Sequence, residues 1–271
     1  MRLSLVVSTS DAAFDALAFK GDLMKGVKMA KQIGYDAVEI AIRDPSTVDV
    51  EELKELLDEL RMPVAAIGTG QAYLADGLSI TAQDVSIRNR AMERLKSHID
   101  FASIFNAKVI IGLVRGKRDK RALDEVLELF VESLKELADY AEKKGVELVI
   151  EPLNRYETDF LNTLEEVKSV LESLNRKNVG ILADTFHMNV EEASIEESIT
   201  KCGKWIKHFH VADSNRWAPG AGHLNFASIL KALHDTGYDG FVSVECLPLP
   251  GGSEASARLA FKTLQSVLKE F

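Results

Sequence analysis

Short β-branched runs alternate with longer amphipathic stretches from one end of the chain to the other, the pattern of strand-helix units that build a parallel sheet. Eight runs read as strands: Leu3 to Ser8, Ala37 to Ile42, Val64 to Gly68, Lys108 to Gly112, Glu147 to Ile150, Val179 to Ala183, Ile206 to His210 and Gly240 to Val244. Between them, apolar residues recur at three- and four-residue spacing in Asp49 to Leu60, Ser86 to Phe105, Leu123 to Lys143, Thr163 to Leu174 and Ala227 to Asp235, which predicts helices; a last helix starts near Ser253. Gly34, Gly145 and Gly237 each close a helical stretch just before a strand, where glycine adopts a left-handed cap at low cost. Eight such units closing on themselves make a (β/α)8 TIM barrel, and 271 residues suit one such domain spanning 1–271. No Pro/Ser-rich linker or low-complexity block interrupts the rhythm.

Composition narrows the partners. Apolar residues make up 46% and charged residues 28%, enough for a large core under a hydrated surface. No stretch approaches the roughly 20 consecutive apolar residues of a membrane span. Met-Arg-Leu-Ser leads straight into strand-like sequence without a signal-peptide pattern, which predicts a cytoplasmic location. A net charge of -9 repels phosphate backbones, so a small molecule fits better than nucleic acid; a homo-oligomer is left open. Cys202 and Cys246 are too few and too isolated for a disulfide framework or a thiolate metal site, and read as reduced bystanders.

In such barrels the active site forms at the C-terminal ends of the strands, so the polar residue following each apolar run is the place to look. Glu151 follows Leu148-Val149-Ile150, Asp184 follows Ile181-Leu182-Ala183, His210 ends Ile206 to Phe209, and Glu245 follows Phe241 to Val244. Any one of them could merely cap a strand or pair with a nearby Lys or Arg. Together they aim three carboxylates and an imidazole from four neighbouring strands into one mouth, where like charges cannot all stay ionised without a cation. Mostly oxygen donors with one nitrogen favour Mn²⁺, Co²⁺ or Mg²⁺, with Mn²⁺ or Co²⁺ first, while affinity order also admits Zn²⁺. Glu157, His187 and Arg216 follow closely on these strand ends. His98 and His234 fall in helical stretches and read as structural or surface residues. His208 shares a strand face with His210 and reads as an inner barrel-layer residue, with support of the ligand as the alternative.

Four pieces, Glu151-Pro-Leu-Asn-Arg-Tyr-Glu157, Asp184-Thr-Phe-His187, His210-Val-Ala-Asp-Ser-Asn-Arg216 and the Glu245 strand end, resemble the D-tagatose 3-epimerase family of the xylose isomerase-like barrels. The resemblance implies that Glu151, Asp184, His210 and Glu245 are metal ligands and that Glu151 and Glu245 double as the acid/base pair. It further implies that His187 and Arg216 hold substrate oxygens and that Glu157 supports His187 and the substrate end. The implied reaction inverts C3 of a ketose or keto-sugar acid through a cis-enediolate. Asn225 departs from the Asp often found after Gly-x-Gly-His in relatives, so no role is carried over to His223.

Inversion needs one base on each face of a planar intermediate, and glutamates closing the fifth and eighth strands can flank a substrate lying between them. An aldose-ketose isomerase of the hydroxypyruvate or inosose type would use the same ligands with a shifted substrate. An apurinic endonuclease would need several more histidines than the six present and a basic stripe for DNA. A non-catalytic sugar-binding barrel has no use for two carboxylates around a metal. After the fourth strand, Arg115-Gly-Lys117-Arg118-Asp-Lys-Arg121 forms a dense basic run. It reads either as an attractor for an anionic substrate end or as a solvated helix start or subunit contact.

Overall fold

A computed structural model describes residues 1–11 and 19–270. Its strands are β1 (Arg2–Ser8), β2 (Phe19–Lys20), β3 (Ala37–Ala41), β4 (Val64–Gly68), β5 (Lys108–Ile111), β6 (Leu148–Ile150), β7 (Val179–Asp184), β8 (Ile206–Val211) and β9 (Phe241–Val244). All pairings between them are parallel, and β1 closes the ring by pairing with β3 on one side and β9 on the other. The eight predicted strands form that ring. The two-residue β2 was not expected; it continues the pairing beside Val7 and Ser8 after β9 has run out at Leu5.

Ten helices lie among the described residues: α1 (Leu23–Ile33), α2 (Val50–Leu60), α3 (Gly70–Asp76), α4 (Val85–Ile104), α5 (Leu123–Lys143), α6 (Leu164–Leu174), α7 (Thr185–Glu191), α8 (Ile195–Cys202), α9 (Phe226–Asp235) and α10 (Ser253–Leu268). None is long and apolar enough to cross a membrane. Local chemistry fixes their ends. Thr163 and Glu166 form a reciprocal capping box at the start of α6, and Asp22, Asp49 and Asp84 cap α1, α2 and α4 with their carboxylates. Gly34, Gly145 and Gly237 take φ of +116°, +70° and +84°, the left-handed turns expected of them.

The strands are buried on both faces and largely apolar. Ile67, Ile111, Ile150 and Ile181 belong to the large core between sheet and helices, whereas Ala66, Ile110, Val149 and Leu182, one position away, form a separate cluster inside the ring. That alternation with a period of two assigns every second residue to the interior. Registers then level the strand ends: Ile111 lies opposite Ile150, Asp184 opposite His210 and Val211 opposite Val244.

Candidate active site

At the C-terminal rim the side chains of Glu151, Asp184, His210 and Glu245 converge, each offering one ligand atom within 4.8 Å of the others. His210 Nδ1 lies 3.8 Å from Glu151 Oε1, 3.9 Å from Asp184 Oδ2 and 3.8 Å from Glu245 Oε2. Glu151 Oε1, Asp184 Oδ2 and His210 Nδ1 are buried and have no hydrogen-bond partner. Buried polar atoms are normally satisfied, so three orphans facing one point fit a divalent cation bound by oxygen and nitrogen. Asp184 is aimed by the start of α7, where its Oδ1 accepts the Phe186 N–H at 2.7 Å and leaves Oδ2 to the cluster. Glu151 lies against Gly112, where a Cβ would come within 2.6 Å of its Oε2.

Electrostatics agree with that geometry. Burial, followed by the charge of Glu245, raises the Glu151 carboxyl well above its ordinary value. Asp184 is pushed up to about 6, mainly by burial and against the pull of His210 and Arg216. Burial opposes a charge on His210, but Glu39 and Glu245 outweigh it and raise the imidazole. The field that favours a proton on His210 equally favours a cation at the shared point.

Sequence reasoning passed over Glu39. It sits in the middle of β3, 1% exposed, and accepts from His208 Nε2 at 2.7 Å and from His210 Nε2 at 3.0 Å. Burial would raise its carboxyl, yet the two histidines hold it well below the usual carboxylate range. With Nε2 donating to Glu39, the Nδ1 lone pair of His210 is turned toward the cluster. His208, expected in the inner layer, is there and shares that carboxylate. The available signal was a charge inside the apolar run Ala37-Val-Glu-Ile-Ala41.

His187, Glu157 and Arg216 line the same cavity, together with Gln71, Leu113 and Leu153. His187 Nδ1 accepts the Asn154 backbone N–H at 3.2 Å, which puts the ring proton on Nε2, 3.8 Å from Glu151 Oε1. Burial and then Arg216 keep this imidazole neutral, its pKa well below the usual value. Glu157 reaches His187 through Asn154, whose amide donates to Glu157 Oε1 at 3.2 Å. Arg216 donates to Glu157 Oε1 at 2.9 Å, lies 3.5 Å from Glu245 Oε2 and covers the Phe186 ring at 4.6 Å. Its φ of +61° belongs to a loop tied down by buried Asp213, which accepts the N–H groups of Ser214, Gly220 and Leu224. At the end of that loop Asn225 caps α9 by accepting the Ser228 N–H at 3.3 Å, as an Asp there would. His98 is structural, its ring bonded to the carbonyls of Arg94 and Ile42.

For Arg115, the reading of the basic run as an attractor for an anionic substrate end, or as solvated surface, is corrected. Arg115 is fully buried with its guanidinium on the backbone carbonyls of Glu151, Phe160 and Leu161, where an irregular segment needs donors. Lys117 and Arg118 lie outside the cavity; the Arg118 N–H donates to Asp159, and Arg121 folds back onto the carbonyls of Arg118 and Lys117.

Residues 27–264 match the family described as xylose isomerase-like TIM barrel. An L-ribulose 3-epimerase of Methylomonas sp. (strain DH-1) is 32% identical, over 85% of this chain and 82% of the relative. A ketose 3-epimerase of Arthrobacter globiformis is 31% identical, over 81% of this chain and 75% of the relative. Among solved structures, a D-allulose 3-epimerase from Methylomonas sp. in complex with D-allulose superposes with a TM-score of 0.83 at 28% identity, covering 98% of this chain and 97% of that one.

Proposed function

The chain belongs to the xylose isomerase-like TIM barrel family, among its ketose 3-epimerases, and on that premise we propose that it is a metal-dependent epimerase inverting C3 of a neutral ketose. The observation that carries the reading is the set of orphaned, buried atoms of Glu151, Asp184 and His210 facing Glu245. These four residues would hold one divalent cation, with Mn²⁺ or Co²⁺ favoured by the oxygen-rich donors. When bound, such an ion supplies a Lewis acid that polarises the ketone and makes the neighbouring C–H acidic.

The chain's own residues do the rest. Glu151 follows β6 and Glu245 follows β9, strands on opposite sides of the His210 strand β8, so one removes the C3 proton and the other returns a proton to the far face of the planar cis-enediolate. His187, neutral and with its Nε2 proton turned inward, donates to a substrate oxygen, and Arg216 holds another while Glu157 fixes its guanidinium. Arg216 is the one guanidinium among the cavity's described lining residues and is already paired with two glutamates, which favours an uncharged substrate.

The test is a purified, EDTA-stripped and Mn²⁺-reloaded protein screened over ketohexoses and ketopentoses, with products identified by NMR in D2O. Inversion with one deuterium gained at C3 is expected. An aldose product would reassign the site to carbonyl transfer between C1 and C2, and activity indifferent to stripping would end the metal reading.

A further inference from the structure

Arg115 stands beneath the site. It ends a 3-10 turn, Leu113–Arg115, after β5, and takes only carbonyl oxygens as partners: Glu151, Phe160 at 3.4 Å and Leu161 at 3.1 Å, with the Phe160 ring 5.6 Å from its guanidinium carbon. Burial lowers its pKa to about 10, so it remains a cation at neutral pH. Burying a charge against neutral oxygens is unfavourable, and such a group persists where the surroundings need its geometry.

What it holds is the segment 151–161, which contains Glu151, Asn154 and Glu157. Its neighbours tie the same segment down: the Gly116 carbonyl accepts the Thr158 hydroxyl at 3.0 Å, and the Arg118 N–H donates to Asp159 Oδ1 at 2.7 Å. The arginine is itself anchored. Its carbonyl accepts hydroxyls from Ser79 and Thr81, and Gly116, at φ +87°, lies so close to Ser79 that a Cβ would collide with it. The Glu151 backbone is held on either side of its Cα, its N–H on the Ile111 carbonyl at 3.2 Å and its own carbonyl on Arg115.

We propose that Arg115 is a positioning residue for one of the two proton-transfer groups: by fixing the Glu151–Pro152 peptide it aims the Glu151 carboxylate, and it has no comparable hold on Glu245. The proposal rests on the two-base reading above. It predicts a one-sided defect, because each C3 epimer gives up its proton to a different glutamate.

Mn²⁺-loaded wild type, Arg115→Met, Arg115→Lys, Glu151→Gln and Glu245→Gln are each incubated in D2O with D-fructose and, separately, D-allulose, which differ at C3. NMR follows the initial uptake of deuterium into the unconverted sugar. Arg115→Met should change the ratio of the two exchange rates about tenfold or more from wild type, in the direction given by Glu151→Gln, with KM and metal content little altered. Arg115→Lys, which keeps the charge but not the fork, should move it the same way by less, and decides alone if the Met variant does not fold. Equal slowing of both epimers, or a shift in the direction of Glu245→Gln, overturns the proposal. A ratio moved by the glutamate variants but by neither arginine variant also overturns it, with the two-base reading intact. A ratio moved by none of them removes the two-base reading, and the proposal with it.

Discussion

Glu39 accepts a hydrogen bond from His210 Nε2 at 3.0 Å and so determines which nitrogen of that ring looks into the cluster. Replacing the carboxylate by Gln removes the charge that favours this orientation and leaves His208 competing for one amide oxygen. Mn²⁺ affinity of Glu39→Gln should fall about 10- to 100-fold, read by titration of the stripped protein. Wild-type affinity would reduce Glu39 to a packing residue.

Gly112→Ala crowds the Glu151 carboxylate. The added methyl would meet Glu151 Oε2 at 2.6 Å, and the carboxylate is the part able to yield. Turnover should drop by about 100-fold. Normal turnover in a folded variant would mean that Glu151 works from another rotamer.

Arg216→Ala should cost substrate use and spare metal. Losing a charge-assisted hydrogen bond predicts a kcat/KM about 10- to 100-fold lower, with bound Mn²⁺ near wild type by elemental analysis. A parallel loss of metal would make Arg216 a brace for Glu245, 3.5 Å away.

The pH dependence of the stripped protein follows from Asp184. Its carboxyl rises from an ordinary 3.8 to about 6 on folding. A carboxyl that binds its proton more tightly in the folded chain favours folding at low pH, and that contribution is lost as the pH rises through the folded value. In EDTA, the melting temperature of Asp184→Asn minus that of wild type should therefore grow between about pH 4 and pH 7. The stabilisation of wild type by added Mn²⁺ should grow over the same window, because the cation replaces the proton. A difference that stays flat with pH would refute the assignment.

Much of the site was legible because barrel geometry turns a one-dimensional rule into a three-dimensional one: the polar residue that closes a strand's apolar run faces the mouth. Glu151, Asp184, His210 and Glu245 obey that rule and meet in the structure. Glu39 escaped because it lies within a strand, where nothing local tells an inward carboxylate from an outward one. Arg115 was misread for the opposite reason. A run of charges suggests solvent, and only the tertiary course of residues 151–161, forty positions further on, buries the first of them. The caps of α6 and the glycines at 34, 145 and 237 were readable since their causes lie within a few residues.

Ala66, Ile110, Val149 and Leu182 come from four consecutive strands and pack only as a plug inside the ring, while His208, Ser243 and Glu39 occupy the other side and bond to one another. Sequence drift meets two different regimes in these halves. A volume-conserving apolar swap in the plug disturbs only packing, so it can occur one substitution at a time. The polar half changes only in concerted steps, since replacing Glu39 strands two imidazoles at once. For anyone retargeting this barrel, the plug is the adjustable part and the Glu39 node the fixed one.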